Sequence, residues 1–526
     1  MNVRTRLARL GALVVVAALA SLGVTPAHAA ESYVPITGSG STWSQNALDQ
    51  WRKNVATNYG MTVNYNGTGS SAGRNDFINQ TVDFAVSEIP FQNPTEDGSP
   101  PEIPTSSYSY MPIVAGGTAL MYNLKIGGKR VTNLRLSGEV IAKIFSGQIA
   151  KWNDPAIQAD NPALAMPDRP ITPVYRSDGS GTSAQFTLWM SKQFPSIWTA
   201  GQRSQFPQIT SSFKGQSGSL GVAGYVSQSY GEGAITYVEY SYAMKSGFPV
   251  AKVLNKAGYY VEPTYQSVAV ALMSAQINPD LTQNLDGVYN SSDPRTYPMS
   301  SYSYMIVPTQ TNKIFTAEKG KTLSTFASYM LCEGQQSAAD LGYSPLPMNL
   351  VQAGFDQIAK MPGTVGAPDL GKCNNPTFKP GDSPSNNQLA QSAPNPPDCD
   401  KQGPNQCLGG TGGAQEETPQ TGSGGVPGGS SGGTPGTTAD GTTGGAAATA
   451  AAAAAAAGGE PVYDANGNLV SGAAAAGGAA AVSSPFTLAE NGWGTPQFIM
   501  LAAGVLVVAA ILVPPLMSRR SRRGGS

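Results

Sequence analysis

Short apolar runs alternate with stretches of helical periodicity through the first two thirds of the chain. Residues 34–36, 63–65 and 174–176 have the length and composition of strands, and each run leads into a Gly-rich loop followed by a helical pattern. This alternation predicts an α/β domain over residues 30–363, which is long enough to bury a large core.

The hexapeptide SSYSYM occurs twice, at residues 106–111 and 300–305. Both copies alternate polar and aromatic residues with a period of two and continue into apolar residues, so each copy predicts a short strand. Chance recurrence in a chain rich in Ser and Tyr is the alternative explanation.

The composition changes after Cys373. Pro, Asn and Ser dominate up to Cys407, and Gly, Thr and Ala follow, including a run of Ala at 450–457. Such a sequence buries too little apolar surface to order itself. We therefore expect residues 364–490 to form a disordered, low-complexity linker that contains one Cys pair.

Both ends of the chain have the features of export and membrane attachment. Residues 1–29 combine an Arg-bearing start, an apolar run and an Ala-His-Ala site, which predicts a signal peptide. Residues 498–517 form an uncharged apolar stretch of about 30 Å as a helix, enough to span a bilayer. The Arg-rich tail at 518–526 should stay in the cytoplasm, so the sequence predicts an extracellular domain tethered by a C-terminal transmembrane helix.

The exported part of the chain is acidic. Without the Arg residues of the two ends, 25 basic side chains face 33 acidic ones, a net charge of about −8. This balance argues against a general nucleic-acid surface. Any anion site must depend on local donors and dipoles.

Four cysteines lie late in the chain, at Cys332, Cys373, Cys399 and Cys407. In an oxidising compartment they predict two disulfides. Of the three possible connectivities we favour Cys332 with Cys373 and Cys399 with Cys407. A metal site is the weaker interpretation because no His is nearby.

Three loops share one design, in which a strand runs into Gly, Ser and Thr and then into a helix. They lie at residues 34–43, 63–73 and 174–183. Glycines allow close approach of a ligand, hydroxyls donate, and the free N–H groups of a helix start attract an anion. One such loop is weak evidence, but three, one with an Arg, point to a small oxyanion held by many hydrogen bonds.

Common enzyme and nucleotide motifs do not account for these loops. None begins with Gly-x-Gly-x-x-Gly, and no complete P-loop pattern is present. Residues 69–73 match Gly-x-Ser-x-Gly, but the single His of the chain, His28, lies in the predicted signal, so a Ser hydrolase would lack its base. We predict no catalytic residue, cofactor or metal.

Glu88 ends an apolar run at residues 83–87. It is either a solvated turn residue or a carboxylate at the carboxyl edge of a sheet, where α/β proteins bind ligands. A carboxylate suits an anion site only if the anion brings a proton to donate.

Taken together, these segments resemble the phosphate-binding protein of the Pst phosphate ABC transporter, within the periplasmic-binding-protein-like superfamily. The resemblance covers about residues 31–363, and its most specific motif is Arg-x-Asp-Gly-Ser-Gly-Thr at 176–182. Further matching segments lie at 136–147, 151–155, 235–243 and 341–347.

The resemblance implies a ligand set for phosphate. The implied contacts are Thr42, the backbone of Trp43, Ser70, Glu88, Arg176, Ser180, Gly181 and Thr182. Asp178 would orient Arg176 through a salt bridge. Glu88 would accept the proton of hydrogen phosphate, although the family usually has Asp there, so the carboxylate moves by about 1.5 Å, one C–C bond.

The resemblance also implies a type II fold of two lobes joined by two crossing strands. Lobe I would comprise 31–111 and 301–363, and lobe II 112–300, with the two hexapeptides side by side as the hinge. The implied function is capture of phosphate for an ABC permease, by a monomer. The alternatives are a surface protein that binds or senses another oxyanion and, from a different class, a secreted phosphoesterase.

Overall fold

A computed structural model describes residues 32–414, except 97, 365, 367–368, 380–381 and 384, together with short strands at 425–426, 462–463 and 469–471. The domain discussed below belongs to one compact unit of the chain. The predicted signal (1–29), transmembrane helix (498–517) and basic tail (518–526) lie outside the described residues. Among the helices that are described, none has both the length and the apolar character needed to cross a bilayer.

The strands of the described chain are β1 (Ile36–Gly40), β2 (Val63–Asn66), β3 (Phe84–Ser87), β4 (Tyr108–Tyr122), β5 (Lys125–Ile126), β6 (Lys129–Arg130), β7 (Arg135–Leu136), β8 (Thr172–Arg176), β9 (Lys214–Gln216), β10 (Ala234–Glu239), β11 (Val250–Leu254), β12 (Tyr260–Val261), β13 (Gln276–Ile277), β14 (Gln283–Asn284), β15 (Ser300–Pro308), β16 (Gln406–Cys407), β17 (Gly425–Val426), β18 (Val462–Tyr463) and β19 (Leu469–Ser471).

The α-helices are α1 (Gln45–Tyr59), α2 (Ser70–Ile78), α3 (Gly138–Phe145), α4 (Pro155–Asp160), α5 (Gly181–Gln193), α6 (Gly218–Ser227), α7 (Tyr240–Ser246), α8 (Tyr265–Leu272), α9 (Asp286–Tyr289), α10 (Ala317–Leu331), α11 (Met348–Ile358) and α12 (Gln388–Ser392). Single 3₁₀ turns lie at Ser229–Gly231, Glu333–Ser337, Leu370–Lys372 and Asp398–Asp400.

One sheet runs through the domain in the order β2-β1-β3-β15-β4-β10-β8-β9, and β11 pairs with β4, β7 and β12. In one half, β1 is parallel to β2 and β3. In the other half, β8 is parallel to β9 and β10. Between the halves, the whole of β15 pairs antiparallel with residues 108–117 of β4. The α/β prediction is confirmed.

Two separate cores show that the domain has two lobes. One core contains Trp51, Phe84 and Phe326 and lies around β1–β3. Another contains Phe145, Trp189 and Tyr237 and lies around β8 and β10, beside a smaller cluster with α6 and α7. The two-lobe architecture expected from the resemblance is therefore present.

The two crossing strands β4 and β15 mark where the chain passes between lobes. On β4, Ala115 belongs to the first core and Ala119 to the lobe II cluster. Met299, directly before β15, belongs to the second core, and Tyr302 on β15 belongs to the first. The core contacts of the chain thus change between Ala115 and Ala119 on β4, and between Met299 and Tyr302 at the start of β15. The apolar pattern of β4, one continuous strand, does not show where it changes core.

The repeated hexapeptides lie on these adjacent strands. Tyr108 to Met111 of the first copy pair with residues 308–305, and Ser300 to Met305 of the second copy pair with residues 117–111. The copies are therefore not abreast along their length. They meet end to end at the Met111 and Met305 pair, on neighbouring strands of the hinge region.

Residues 369–414, which we name the C-terminal segment, pack on both lobes. On lobe I, Asn375 and Thr377 donate to the carbonyls of Leu331 and Leu346 at 3.0 and 2.8 Å. On lobe II, α12 packs on α8 through small apolar side chains. The packed chain thus continues beyond the linker boundary placed at 364, because disulfides and buried polar contacts add to a few small apolar contacts in ordering this sequence.

Both predicted disulfides are confirmed. Cys332 is bonded to Cys373, which joins α10 to the start of the C-terminal segment, and Cys399 is bonded to Cys407 within that segment.

Candidate functional site

The predicted site residues come together where parallel strands of both lobes end. In lobe I, the loop after β1 carries Thr42, α2 begins at Ser70 after β2, and Glu88 follows β3. In lobe II, Arg176 ends β8 and α5 begins at Gly181. Because the carboxyl ends of parallel strands share one edge, these separate segments meet in one place.

Glu88 is the centre of the lobe I part. Its side chain is 1% exposed, and three hydroxyls donate to the carboxylate. Ser41 Oγ lies 2.5 Å and Ser303 Oγ 2.9 Å from Oε1, and Ser70 Oγ lies 2.9 Å from Oε2. Glu88 is therefore a buried, hydrogen-bonded carboxylate and not a solvated turn residue.

The start of α5 in lobe II lies directly against this carboxylate. A Cβ added to Gly181 would be 2.2 Å from Glu88 Oε2 and 2.6 Å from Ser70 Oγ. Two hydrogen bonds also join the lobes here: Ser71 N–H donates to the Gly179 carbonyl at 3.1 Å, and Gln185 Nε2 donates to the Glu88 carbonyl at 2.8 Å. The structure thus has the two lobes closed on each other around the site.

Arg176 provides the positive charge of the site and is 2% exposed. Its Nε donates to Asp178 Oδ1 at 2.7 Å, and Nη2 forms an ion pair with Asp178 Oδ2. Nη1 lies 3.3 Å from Ser219 Oγ. Asp178 also accepts from the N–H of Gly218 at 3.0 Å. Asp178 therefore fixes the guanidinium through Nε and Nη2, and Nη1 is left to donate to Ser219.

Thr42 of lobe I also contacts lobe II, through hydrogen bonds with Ser219. Its hydroxyl lies 2.8 Å from Ser219 Oγ and accepts from the Ser219 N–H at 3.0 Å. The neighbouring Trp43 N–H donates to Ser41 Oγ at 2.9 Å, and the indole packs in the core against Tyr343. The Trp43 N–H, expected to face an anion, therefore bonds within its own loop.

The first turn of α5 offers further donors. Ser180 caps the helix by accepting from the Ser183 N–H at 3.2 Å, which leaves the Ser180 hydroxyl hydrogen able to donate. Thr182 Oγ1 is buried and has no hydrogen-bond partner among the described residues. Since an unpaired buried hydroxyl is costly, Thr182 is poised to bind a polar group.

Burial and the neighbouring groups shift the titration of these side chains. Burial raises the pKa of Glu88, and the three serine hydroxyls and the charge of Arg176 partly oppose that rise. Burial alone would lower the pKa of Arg176, but its contacts with Asp178 raise it. Burial would likewise raise the pKa of Asp178, but the guanidinium holds it below its usual range. The site thus contains a fixed cation, Arg176, and a buried carboxyl group, Glu88, that binds a proton more readily than an exposed Glu.

Three residues of the site were not among those predicted: Ser41, Ser219 and Ser303. Ser41 lies in a loop that the sequence did indicate, next to Thr42. Ser219 is the second residue of α6, after β9, in a Gly-Gln-Ser-Gly-Ser stretch at 215–219 that resembles the other loops. Ser303 gives no such signal, because it lies within a strand and reaches Glu88 through the pairing of β15 with β3.

Comparison with known proteins agrees with this architecture. A family model described as a PBP superfamily domain matches residues 25–333. The phosphate-binding protein PstS of Xylella fastidiosa is 33% identical over 322 residues, covering 61% of this chain and 83% of that protein. The phosphate-binding protein PstS 2 of Mycobacterium tuberculosis is 33% identical over 316 residues, covering 59% of this chain and 82% of that protein.

The solved structure of a phosphate-binding protein from Stenotrophomonas maltophilia aligns with 66% of this chain and 99% of its own, at 18% identity and a TM-score of 0.47. With a superfamily model matching more than half of its residues and with relatives this similar over most of their own length, the chain belongs to the PBP superfamily and, within it, to the PstS family of phosphate-binding proteins.

Proposed function

We propose that this protein is an extracellular substrate-binding protein that captures inorganic phosphate and delivers it to an ABC-type phosphate permease. The observation that carries this proposal is the meeting of a buried carboxylate, Glu88, with the start of α5 and with Arg176 from the other lobe. This combination suits an oxyanion that carries a proton. The names of the relatives, all phosphate-binding proteins, support the same ligand.

The proposed ligand donors come from both lobes, so phosphate would hold them together. Lobe I would provide Thr42, Ser70 and Glu88, and lobe II would provide Arg176, Ser180, Gly181 and Thr182, while the Trp43 N–H stays bonded to Ser41 Oγ. Arg176 Nη1 and the α5 start supply positive charge. The unpaired hydroxyl of Thr182 would gain a partner on binding.

Ser70 must change its hydrogen bond when phosphate binds. Its hydroxyl has one hydrogen, which points to Glu88 Oε2 at 2.9 Å. To donate to phosphate, Ser70 releases Oε2, and the proton of hydrogen phosphate takes its place there. Sulfate has no proton at neutral pH, so it would leave Oε2 without a donor in a buried site and be rejected.

The function requires no covalent step. Opening and closing of the lobes about β4 and β15 would take up and release the ion, and the permease would receive it from the open form. The sequences of 1–29, 498–517 and 518–526 support export and attachment to the membrane by a C-terminal helix, with the low-complexity sequence that ends near 490 as the tether. We propose that the protein acts as a monomer.

A calorimetric titration of the purified full-length chain tests the proposal. We expect saturable binding of phosphate, with one site for each chain, and no heat from sulfate at the same concentration at pH 8. Binding of sulfate as tightly as phosphate would favour another oxyanion. No response to either ion would rule out this function.

A further inference from the structure

Two of the hydroxyls on Glu88 do not belong to the proposed ligand set. Ser41 and Ser303 both donate to Oε1, at 2.5 and 2.9 Å. They come from the loop after β1 and from the crossing strand β15, so the carboxylate is held from two separate elements. Both side chains are buried, at 1% and 0% exposure.

The direction of the Ser41 hydroxyl is fixed by a donor behind it, and that of Ser303 is set by its bond to Glu88. The Trp43 N–H donates to Ser41 Oγ at 2.9 Å, so the Ser41 hydrogen must point elsewhere, toward Glu88. Ser44 Oγ lies 3.2 Å from Ser303 Oγ, and because Ser303 donates to Glu88, Ser44 is the donor of this pair. Oε1 therefore receives two directed hydrogen bonds.

The pairing of β15 with β4 is irregular at this position, where Ser303 pairs with Val114 and Tyr304 with Pro112. The register with β4 shifts between Ser303 and Tyr304, which is the signature of a β-bulge. A bulge re-aims the side chain beside it and often occurs next to binding sites. The extra residue, Ile113, lies on β4 between the partners of Ser303 and Tyr304, and the Ser303 hydroxyl points at Glu88 beyond the end of β3.

Counting acceptor positions shows what these bonds achieve. An ionised carboxylate accepts about four hydrogen bonds, two on each oxygen. Ser41 and Ser303 fill Oε1, and Ser70 fills one position of Oε2. The remaining side of Oε2 faces Gly181 and the start of α5.

We propose that Ser41 and Ser303 are positioning residues that keep Glu88 a carboxylate and direct Oε2, but not Oε1, toward the proton of the ligand. The inference rests on the proposed function, since it concerns how the phosphate site selects a protonated oxyanion. This role also explains how Glu can stand where the family usually has Asp, because the two hydroxyls hold the longer side chain of Glu88 in place.

The charged and titratable groups around Glu88 do little to keep it ionised, so the hydroxyl donors matter for its charge. Arg176 on β8 is the cation that acts on it, and Asp178 already occupies most of that guanidinium. Tyr65 on β2 faces the same region, and the charge of Glu88 contributes to the raised pKa of that phenol. Burial raises the pKa of Glu88, so the hydroxyls are needed to oppose protonation.

Loss of either hydroxyl should therefore change selectivity as well as affinity. A Glu88 protonated on Oε2 would direct a donor toward the ligand, and it would be a much weaker acceptor for the proton of hydrogen phosphate there. Sulfate could then accept from it. Removal of Ser41 or Ser303 should weaken phosphate binding by about tenfold or more at pH 8 and improve competition by sulfate at lower pH.

The test uses Ser41→Ala and Ser303→Ala in the full-length protein, with Ser300→Ala as the matched control. Ser300 is equally buried on the same strand, but its hydroxyl donates to the Tyr297 carbonyl at 2.8 Å. Infrared spectra of the ligand-free protein, with the Glu88 band assigned by Glu88→Gln, give the pH at which Glu88 protonates. Phosphate affinity and sulfate competition are then measured between pH 5.5 and pH 8.5.

We expect Ser41→Ala and Ser303→Ala to protonate Glu88 at higher pH than the wild type, and Ser300→Ala to leave that pH unchanged. Ser303→Thr, which keeps a hydroxyl, should restore it. The inference is overturned if both Ala variants match the control in protonation and in sulfate competition. If the wild type binds no phosphate, the proposed function fails, while the ligand-free spectra still decide the role of the two serines.

Discussion

Gly181 and Glu88 face each other across the two lobes at a distance that leaves no room for a side chain. A Cβ on Gly181 would be 2.2 Å from Glu88 Oε2, much closer than a carbon and an oxygen can approach. The closed arrangement of the site therefore depends on Gly at the first position of α5.

Gly181→Ala should weaken phosphate binding without unfolding the protein. Ala is a good residue for the helix itself, so the expected cost arises on closure, where overpacking typically amounts to about 1–3 kcal/mol, or roughly a 5- to 150-fold loss of affinity. Calorimetry with phosphate measures the loss, and thermal unfolding checks the fold.

Gly224→Ala is the matched control, because it lies inside α6 and a Cβ there has no atom within 4 Å. We expect it to bind like the wild type and to gain up to about 1 kcal/mol of stability. Equal phosphate affinity for Gly181→Ala and the wild type would show that the lobes do not close this tightly on the ligand.

Arg176→Lys should lower phosphate affinity although it conserves the charge. Lys has no planar fork, so it cannot both hold Asp178 with two groups and direct a third toward the ligand. Loss of a charge-assisted hydrogen bond predicts a decrease of about 10- to 100-fold, measured by calorimetry. Arg52→Lys, at a partly exposed ion pair with Asp49, serves as the control and should bind normally.

The sequence indicated the loops that converge at this candidate site because each of them is a local pattern. A strand that ends in Gly, Ser and Thr before a helix identified the segments of Thr42, Ser70 and Arg176, and the parallel strands of the sheet bring those segments to one edge. The motif at 176–182 also predicted the ion pair of Arg176 with Asp178, since both residues lie in one short loop.

The parts that the sequence could not predict depend on contacts between distant residues. Ser303 meets Glu88 across 215 positions, and nothing in the SSYSYM pattern distinguishes this Ser from its counterpart, Ser109, in the other copy. The C-terminal segment has the composition of a linker, and its packing depends on single buried polar contacts and disulfides that a compositional argument does not detect.

Glu239 gives a prediction for the pH dependence of stability. Burial raises the pKa of this carboxyl well above its ordinary value, and its Oε1 has no hydrogen-bond partner in the described part of the chain. Between the two pKa values, the folded state therefore keeps a proton on Glu239 that the unfolded state has already released. The contribution of Glu239 to stability is thus complete below its unfolded pKa and is lost as the pH rises toward its folded pKa.

Glu239→Gln should remove this dependence, so its advantage over the wild type should grow from pH 4.5 to pH 8. Urea unfolding at several pH values measures the free energy of unfolding of both proteins. Glu139→Gln, at a largely exposed side chain, is the control. Parallel stability curves for Glu239→Gln and the wild type would mean that Glu239 does not carry the extra proton.

The buried ion pair of Lys252 with Asp400, at 2.5 Å, provides a test of how the C-terminal segment is held on lobe II. Both side chains are almost completely buried, at 7% and 3% exposure. Asp400→Ala would leave the Lys252 ammonium without its partner in a buried place, which typically costs about 3–5 kcal/mol. Urea unfolding should show this loss, either for the whole domain or as a separate early transition of the segment.

The double variant Lys252→Met with Asp400→Leu distinguishes the charge effect from simple loss of contact. Replacing a buried ion pair by apolar residues of similar size is often neutral or stabilising, so the double variant should recover most of the stability lost in Asp400→Ala. Cleavage by a protease between residues 385 and 398 gives a second measurement, since Asp400→Ala should make this cleavage faster than it is in the wild type or in the double variant. If Asp400→Ala unfolds like the wild type and resists the protease equally, the segment is held by its disulfides and backbone contacts instead, such as that of Arg135 with the Cys399 carbonyl at 3.0 Å.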